Sequence, residues 1–367
     1  MIGAAGFVTR MGLAKDSSVR VCAGGHDCVM DDEYRFRPGS DFLGHFRLEP
    51  PIAGAELIDV TLGVDSRALC TWLAGTDDGF DASPADVAAG HLRPAADPVT
   101  VTLQDKEAGV VQVWDIPNPV VGASYRVLPD GHLLAFSGYS AYYEHAQKNA
   151  LIYNRHGAIV SLDSIGVEVT DVRTTVNGAI WIAHDRVEEG DHWRDDYGLE
   201  RFSADLELQW RAGEDAQVYA GPMSVLGDDV VFYDNAHDAP YCSATRSWLS
   251  HPPDASGWIL HDPVRSQWGI VDDAPQNGGD VSSKEIEVTL GWGDCVGEWK
   301  PYSKGSIVLP LASALERTQV ECDAFSVNVW VGQRWYSLSL NDLFNDSIRT
   351  TPPRLPDIAS EDRGEPQ

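Results

Sequence analysis

Hydrophobic and polar residues alternate along much of the chain in short runs, and turns that contain Gly, Asn or Asp separate these runs. This pattern is typical of β-hairpins. Three copies of one unit stand out, each with a polar turn followed by a strongly apolar strand: Ser124 to Phe136, Val169 to His184 and Val218 to Tyr233. Gly131, Gly178 and Asp229 mark the three turns and are 47 and 51 residues apart. The spacing indicates a structural repeat.

A second set of hairpins follows the first with the same period. Leu103, Tyr153 and Phe202 occupy matching positions in it and are 50 and 49 residues apart. A repeat of about 40–50 residues that is built only of strands is typical of a β-propeller blade. The pattern therefore predicts an all-β protein, a β-propeller with five or six blades of four-stranded antiparallel sheet.

The repeat also suggests boundaries. Four blades are predicted at residues 56–118, 119–166, 167–213 and 214–272, with further strands in 281–311 and 319–341. We expect an N-terminal segment at residues 1–50, a propeller at 51–345 and a disordered acidic, Pro-rich tail at 346–367. Within the N-terminal segment, the stretch from Val19 to Leu48 is weakly strand-like and is expected to close the ring by pairing with the last blade.

The net charge of −29 changes the functional picture. Nucleic-acid backbones and anionic membranes attract basic surfaces, so neither is an expected partner. An acidic surface favours cationic partners or divalent metals.

The sequence has no signal peptide and no run of about 20 apolar residues that would span a membrane. The six cysteines are scattered, so we expect reduced thiols and a cytoplasmic protein.

One blade carries a family resemblance. The run from Val172 to His184, followed by Tyr197 to Phe202, resembles the repeat of regulator-type and lyase-type β-propellers, which include streptogramin lyase-like and lactonase-like proteins. The resemblance is good over this blade and fair over its two neighbours. It implies the fold much more than an activity, because sensors, scaffolds, lactonases and lyases share the repeat.

Strands alternate in direction within a blade, so the connections after each second strand open on one face. These connections are long and rich in His, carboxylate and aromatic side chains. Loops of this composition often carry function. The candidate ligand-binding residues on this face are Tyr142, Tyr143, His145, His184, Asp185, His192, Trp193, Tyr233, Asp234, His237 and Trp292.

Three functions remain open for this face. Aromatic loops suit a protein- or peptide-binding platform. His184, Asp185, His192, Asp234 and His237 could instead form a metal or acid/base cluster of a lactonase-, lyase- or glycoside-type enzyme. Aromatic rings beside carboxylates would also suit a sugar. We expect a binding module for a protein, small-molecule or glycan partner, with the enzyme as the alternative.

The sequence assigns no catalytic residue, metal ligand or cofactor, although a divalent cation fits the acidic loops, and it leaves the oligomeric state open. Asp171 and Tyr219 stand at the starts of blades, where their side chains either point into the central channel or pack against neighbours.

Overall fold

A computed structural model represents the protein. The chain divides into two units, residues 1–33 and residues 34–367, and every described residue belongs to the second unit. The structure describes residues 34–36, 46–73, 98–117, 119, 123–137, 148–166, 169–184, 198–212, 222–234, 239–248, 257–262, 264–272, 283–292, 300–311 and 317–345.

The described residues form strands and one short helix. In chain order these are β1 (Tyr34–Phe36), β2 (Phe46–Arg47), β3 (Glu56–Leu62), β4 (Ala68–Leu73), β5 (Val99–Asp105), β6 (Gly109–Ile116), β7 (Ser124–Val127), β8 (Leu133–Phe136), β9 (Ala150–Tyr153), β10 (Ile159–Asp163), β11 (Val169–Thr174), β12 (Ile180–His184), β13 (Leu199–Phe202), β14 (Leu208–Arg211), β15 (Ser224–Leu226), β16 (Asp229–Asp234), β17 (Ala239–Cys242), β18 (Ser247–Trp248), β19 (Trp258–Asp262), β20 (Gln267–Asp272), β21 (Ser283–Trp292), β22 (Lys300–Pro310), β23 (Thr318–Cys322), β24 (Ser326–Val331), β25 (Arg334–Ser339) and α1 (Leu340–Asn345).

These strands make six sheets, which are the blades of a six-bladed β-propeller. The first four blades are β3–β6, β7–β10, β11–β14 and β15–β18, each written from the channel outwards. The fifth blade is β19–β22 with β1 added in parallel at its outer edge. The sixth is β23–β25 with β2 outermost. The predicted fold class is confirmed, and the blade number is six.

The hairpin turns form where the sequence permits a left-handed backbone. Gly131 and Gly178 have φ angles of +81° and +88°, a region that glycine enters without the steric cost of a Cβ atom. The strand after each of these turns, β8 or β12, is buried along its whole length. Neighbouring blades cover both faces of such a second strand, and this explains why its sequence is continuously apolar.

The core lies between blades. Leu134 and Ile152 of the second blade pack with Ile180 and Ile182 of the third. On the outermost strands the same residue types are exposed instead, as at Ile159 in β10. Burial thus decreases from the second strand to the rim.

Two residues of the predicted N-terminal segment add a strand to the sixth blade. Phe46 and Arg47 pair with Trp335 and Arg334 of the last blade. The Phe46 and Trp335 rings make an edge contact with centroids 5.9 Å apart. The pairing covers the C-terminal end of the predicted stretch, whereas β1 joins the fifth blade. The proposed tail at residues 346–367 lies outside the described residues, and the other domain limits remain predictions.

One predicted boundary is wrong. The hairpin from Trp258 to Val271 does not complete the fourth blade, because it forms the two innermost strands of the fifth. The outer pair of the fourth blade is β17 and β18, and β18 has two residues. A strand this short shows no alternation of polar and apolar residues. The prediction therefore assigned the next recognisable hairpin, Trp258 to Val271, to the fourth blade.

The described part of the chain contains no helix with the length and hydropathy needed to cross a membrane.

Candidate functional site

Charged side chains enter the channel from the innermost strands. Arg126 lies in β7, Asp171 and Arg173 in β11, and Glu321 in β23. All four side chains are at most 10% exposed. We call this group the channel network. Asp171 was one of the two residues expected either to point into the channel or to pack, and it joins this network; Tyr219 lies outside the described residues.

The channel network is a closed set of ion pairs. Arg126 Nη2 lies 3.5 Å from Asp171 Oδ1 and 3.3 Å from Glu321 Oε1. Arg173 completes the square, with Nε 3.0 Å from Asp171 Oδ2 and Nη1 3.2 Å from Glu321 Oε1. Two buried cations therefore face two buried carboxylates. Pairing of this kind offsets the cost of removing each charge from water.

Hydrogen bonds and a ring contact extend the network to the remaining blades. The backbone N–H of Leu62, in the first blade, donates to Glu321 Oε2. The N–H of Met223, just before β15 of the fourth blade, donates to Asp171 Oδ2 at 2.9 Å. The guanidinium of Arg173 lies 4.7 Å from the ring centroid of Trp258 in the fifth blade, a cation–π contact. All six blades thus meet at this network.

The electrostatics favour charged arginine. Burial by itself would lower the pKa of Arg173, but the adjacent carboxylates of Asp171 and Glu321 raise it above its usual value. The guanidinium is therefore ionised at every pH at which the protein folds.

A fifth charged residue, Asp59 of β3, lies beside the network. Burial raises the pKa of its carboxyl group. The nearby charge of Arg126, the N–H of Val60 and a side-chain hydrogen bond with Gln319 act in the opposite direction, whereas the charge of Glu321 adds to the rise. Because burial dominates, the neutral form of Asp59 is favoured more than that of an ordinary aspartate.

Two β-bulges position the inner acids. The pairing of β3 with β4 shifts register between Leu57 and Asp59, and the pairing of β11 with β12 shifts between Val169 and Asp171. A bulge inserts one residue and redirects the side chain that follows it. The same irregularity precedes both acids, each near the start of an innermost strand.

Asp59 also forms part of a cleft, which we call the loop-face cleft. The cleft has a volume of about 540 Å³ and lies between the first and sixth blades. Its lining includes Leu57, Ile58, Asp59, Gln319 and Trp330. The cavity thus combines apolar side chains, an aromatic ring, an amide and a carboxyl group, which is the usual make-up of a small-molecule site.

The connection between β24 and β25 explains why the cleft is open. This connection follows the second strand of its blade, so it lies on the face of the long loops, here called the loop face. It contains only Gly332 and Gln333, both of which line the cleft. The corresponding connection in the first blade spans residues 74–98.

Of the predicted site residues, His184, Tyr233 and Asp234 are described, and all three are buried. They are the last residues of β12 and β16, so they lie at the base of the loops on the loop face. Trp292 ends β21 and pairs with Gln267 next to the β19–β20 turn, which puts it at the opposite end of its blade. The other predicted residues lie outside the described ranges: Tyr142, Tyr143, His145, Asp185, His192, Trp193 and His237.

His184 has a charged neighbour. Its Nε2 lies 3.3 Å from Glu200 Oε2, and Glu200 Oε1 is 2.6 Å from Arg211 Nε. A Cβ atom added to Gly166 would come within 2.8 Å of His184 Cε1, so the linker between the second and third blades packs closely on the imidazole ring. The described contacts of His184 therefore tie strands and blades together.

Tyr233 and Asp234 are packed in a similar manner. Tyr233 joins Ile259 and Trp268 in a buried cluster between the fourth and fifth blades. Asp234 is fully buried and pairs in register with Ala239 of β17. Within the described ranges, no three His, Cys, Asp or Glu side chains group closely enough to hold a metal ion.

The charged channel residues escaped the sequence interpretation, apart from Asp171. A signal for them exists, because Asp59, Arg126 and Glu321 each stand between two apolar or aromatic neighbours in the innermost strands of three different blades. A single charged residue in one strand is normally interpreted as facing solvent. Charged residues in the innermost strands of several blades, by contrast, indicate side chains that point into the channel.

The described cysteines, Cys70, Cys242 and Cys322, are free and buried. Burial raises the pKa of the Cys70 thiol well above its usual value, so this group is a poor nucleophile. The thiols expected from the sequence are present at these positions, and the cytoplasmic location stays a prediction.

Comparisons with known proteins give similarity in fold alone. No protein-family model matches the chain. No curated protein matches it either. Similar solved structures include a catalytically inactive virginiamycin B lyase from Staphylococcus aureus determined with quinupristin (10% identity, TM-score 0.39, covering 81% of this chain and 98% of the lyase). A protein from Bacteroides fragilis has 11% identity and a TM-score of 0.41, with coverage of 81% of this chain and 88% of that protein. A GH74 enzyme from Niastella koreensis has 14% identity and a TM-score of 0.35, with coverage of 79% and 43%.

Proposed function

We propose that this protein is a binding module that takes a small-molecule or glycan ligand on the loop face, in the loop-face cleft. The observation that carries the proposal is the cleft itself. It has a volume of about 540 Å³ and opens at the one blade whose loop-face connection is two residues long. Ligand sites in proteins are concave, mainly apolar and equipped with a few polar groups.

The chemistry of the cleft favours a polar, largely uncharged ligand. The partly exposed side chains of Leu57 and Ile58 supply apolar surface, while Asp59 and Gln319 supply hydrogen-bonding groups. Glu56 and Arg317 also line the cleft and carry opposite charges. Apolar surface beside carboxyl and amide groups suits the apolar face and the hydroxyl groups of a sugar ring.

Ligand binding is tested with neutral and uronic-acid oligosaccharides as probes, measured by isothermal titration calorimetry on the full chain. We expect one class of probe to bind and Asp59→Asn to weaken it about tenfold, because the variant changes a hydrogen-bonding group of the cleft. Asp205→Asn alters an exposed acid in the β13–β14 turn and serves as the matched control. Absence of binding by every probe, or equal affinity of both variants, contradicts a glycan site.

An enzyme is the second candidate, and Asp59 is the observation in its favour. A carboxyl group with a raised pKa inside a cavity is suited to general acid catalysis. If this candidate holds, the bound oligosaccharide is cleaved and Asp59→Asn abolishes cleavage while the Kd changes little.

A further inference from the structure

The opposite end of the channel has a different surface. The connections between the first and second strands of each blade lie there, and we call this side the turn face. A cavity of about 270 Å³ lies among these turns, and we call it the turn-face cavity. Its lining comes from four blades and includes Val64, Val176, Val225 and Phe325, with Arg173 of the channel network.

Apolar side chains are exposed around the turn-face cavity. Val176 is 55% exposed and Phe325 is 51% exposed, and each is part of a tight hairpin turn next to the cavity. Val264, in the equivalent turn of the fifth blade, is 89% exposed. Turn positions ordinarily carry Gly, Asn, Asp, Ser or Pro. Exposed apolar residues thus occur in the turns of three blades on one face, and two of them border the cavity.

The same turns are acidic. The described residues of the six turns include four Asp and two Arg side chains: Asp65, Asp130, Asp228 and Asp323, with Arg67 and Arg265. Two more acids, Asp229 and Asp262, are the strand residues that directly adjoin these turns. Arg67 lies 3.2 Å from Asp65, and Arg265 lies 2.6 Å from Asp262. The turn face therefore carries more negative than positive charge.

Two of these acids are held by neutral donors. Asp228 accepts hydrogen bonds from Thr175 Oγ1 and Asn177 Nδ2, both at 2.9 Å. Asp323, which lines the cavity, accepts from the hydroxyl groups of Ser66 and Ser326 at 2.6 and 2.8 Å. Neutral donors fix both carboxylates in position, and Asp323 also interacts electrostatically with the ammonium group of Lys106. The charge of Asp228 is therefore the more available of the two to an approaching cation.

We infer that the turn-face cavity docks a segment of a partner protein that presents an aromatic or large aliphatic side chain between Lys or Arg residues. The apolar side chain fills the cavity between Val176 and Phe325. The flanking cations approach Asp228 and the other acids of the rim, so the charge of the partner complements that of the rim. This site lies at the other end of the channel from the loop-face cleft and does not depend on the proposed ligand there.

The probe is a fluorescein-labelled pentapeptide with a central Phe between two Lys and two Arg residues, titrated with the full-length protein in a fluorescence anisotropy assay. We expect binding with a Kd below about 1 mM. Replacing the central Phe of the probe by Ala should weaken binding about tenfold, and raising the salt concentration should weaken it further.

Two protein variants with equal exposure make the test specific. Val176→Lys puts a cation on the rim and removes an apolar contact, and we expect about tenfold weaker binding. Ile159→Lys makes the same change on the outer strand β10, where the side chain is 56% exposed, and should leave the affinity within about twofold. Circular dichroism and the Tm confirm that both variants are folded. Asp59→Asn should bind the peptide normally, which separates this site from the loop-face cleft.

Several outcomes would overturn the inference. They are absence of binding, equal affinity for the Phe and Ala probes, and equal affinity of the two lysine variants. The inference would also be overturned if light scattering showed that the wild-type protein is a dimer and that Val176→Lys is a monomer. The occupant of the cavity would then be a second copy of the chain.

Discussion

Asp59, Arg126, Asp171, Arg173 and Glu321 show how individual residues shape this protein. A charged side chain that points into a narrow channel is removed from water, so a single unpaired charge there is costly. The four residues of the channel network solve this by pairing each Arg with both acids. Asp59 is not a member of the channel network, and burial is the dominant influence on the pKa of its carboxyl group.

Glu321→Gln tests the channel network. The change leaves Arg126 and Arg173 with Asp171 as their remaining acidic ion-pair partner among the described residues. Removing one partner from a buried ion pair costs about 3–5 kcal/mol in free energy of unfolding, because a buried charge is left uncompensated. The measurement is urea denaturation at pH 7. Asp65→Asn, in an exposed pair with Arg67, should cost less than about 1 kcal/mol. Similar losses in the two variants would mean that the network contributes no more than a surface pair.

Asp59 gives a pH-dependent prediction. Its folded-state pKa is raised from 3.8, so the folded chain binds the proton more tightly than the unfolded chain. Ionisation therefore opposes folding, and stability falls as the pH rises from about 3.8 through the raised pKa. Asp59→Asn removes this loss, so its Tm relative to wild type should increase between pH 4 and pH 7. The exposed control Asp205→Asn should show no such trend, and a difference independent of pH for Asp59→Asn would refute the argument.

At the scale of elements, hairpins dock blade against blade through their turns. Gly157, in the β9–β10 turn, has φ of +74°, and a Cβ atom there would collide with the carbonyl oxygen of Asp115 in β6 of the first blade. Gly227, in the β15–β16 turn, has a similar φ of +66° but open space around it. The two glycines separate the cost of backbone conformation from the cost of inter-blade contact.

Gly227→Ala should cost about 1–2 kcal/mol, the strain of a left-handed backbone with a Cβ atom. Gly157→Ala should cost at least about 2 kcal/mol more, because the second blade must also move away from the first. Chemical denaturation of both variants measures the difference. Equal destabilisation would indicate that the β9–β10 turn is not pressed against its neighbour in solution.

At the scale of the whole molecule, the ring of blades closes where the sixth blade meets the first. The N–H of Leu48 donates to Gln333 O at 2.8 Å, and Leu48 is 1% exposed. One residue later, the Glu49 backbone exchanges two 2.8 Å hydrogen bonds with the buried side chain of Gln104 in the first blade. A few residues of the N-terminal segment thus join the two blades that meet at the loop-face cleft.

Truncation tests this closure. A chain that starts at residue 34 keeps every described strand and should melt cooperatively with a Tm close to that of the full chain. A chain that starts at residue 50 loses β1, β2 and Leu48 and should unfold at a much lower temperature or without a cooperative transition. Leu48→Ala is the point-variant counterpart, with an expected loss of about 2–5 kcal/mol. Equal melting curves for the two truncated chains would show that the ring closes without the segment.

The sequence by itself determined the fold class and most of the hairpins. Alternation of residue types and glycine turns are local properties, and a repeat of local properties is visible in a single chain. The outer hairpins at Leu103, Tyr153 and Phe202 are therefore confirmed as predicted. The prediction of the fourth blade was wrong at β18, because a strand of two residues is too short to show a pattern.

Only the tertiary structure decided which polar residues meet. His184 and Asp234 look like loop residues in the sequence, yet both end second strands, and these are covered on both faces by neighbouring blades. Glu321 contacts Arg126 across 195 positions of the chain, a distance over which no periodic pattern carries information. The loop-face cleft likewise depends on the meeting of β3 with β23, which ring closure brings about. Long-range contacts of this kind arise from the packing of all six blades and not from the residues of any one of them.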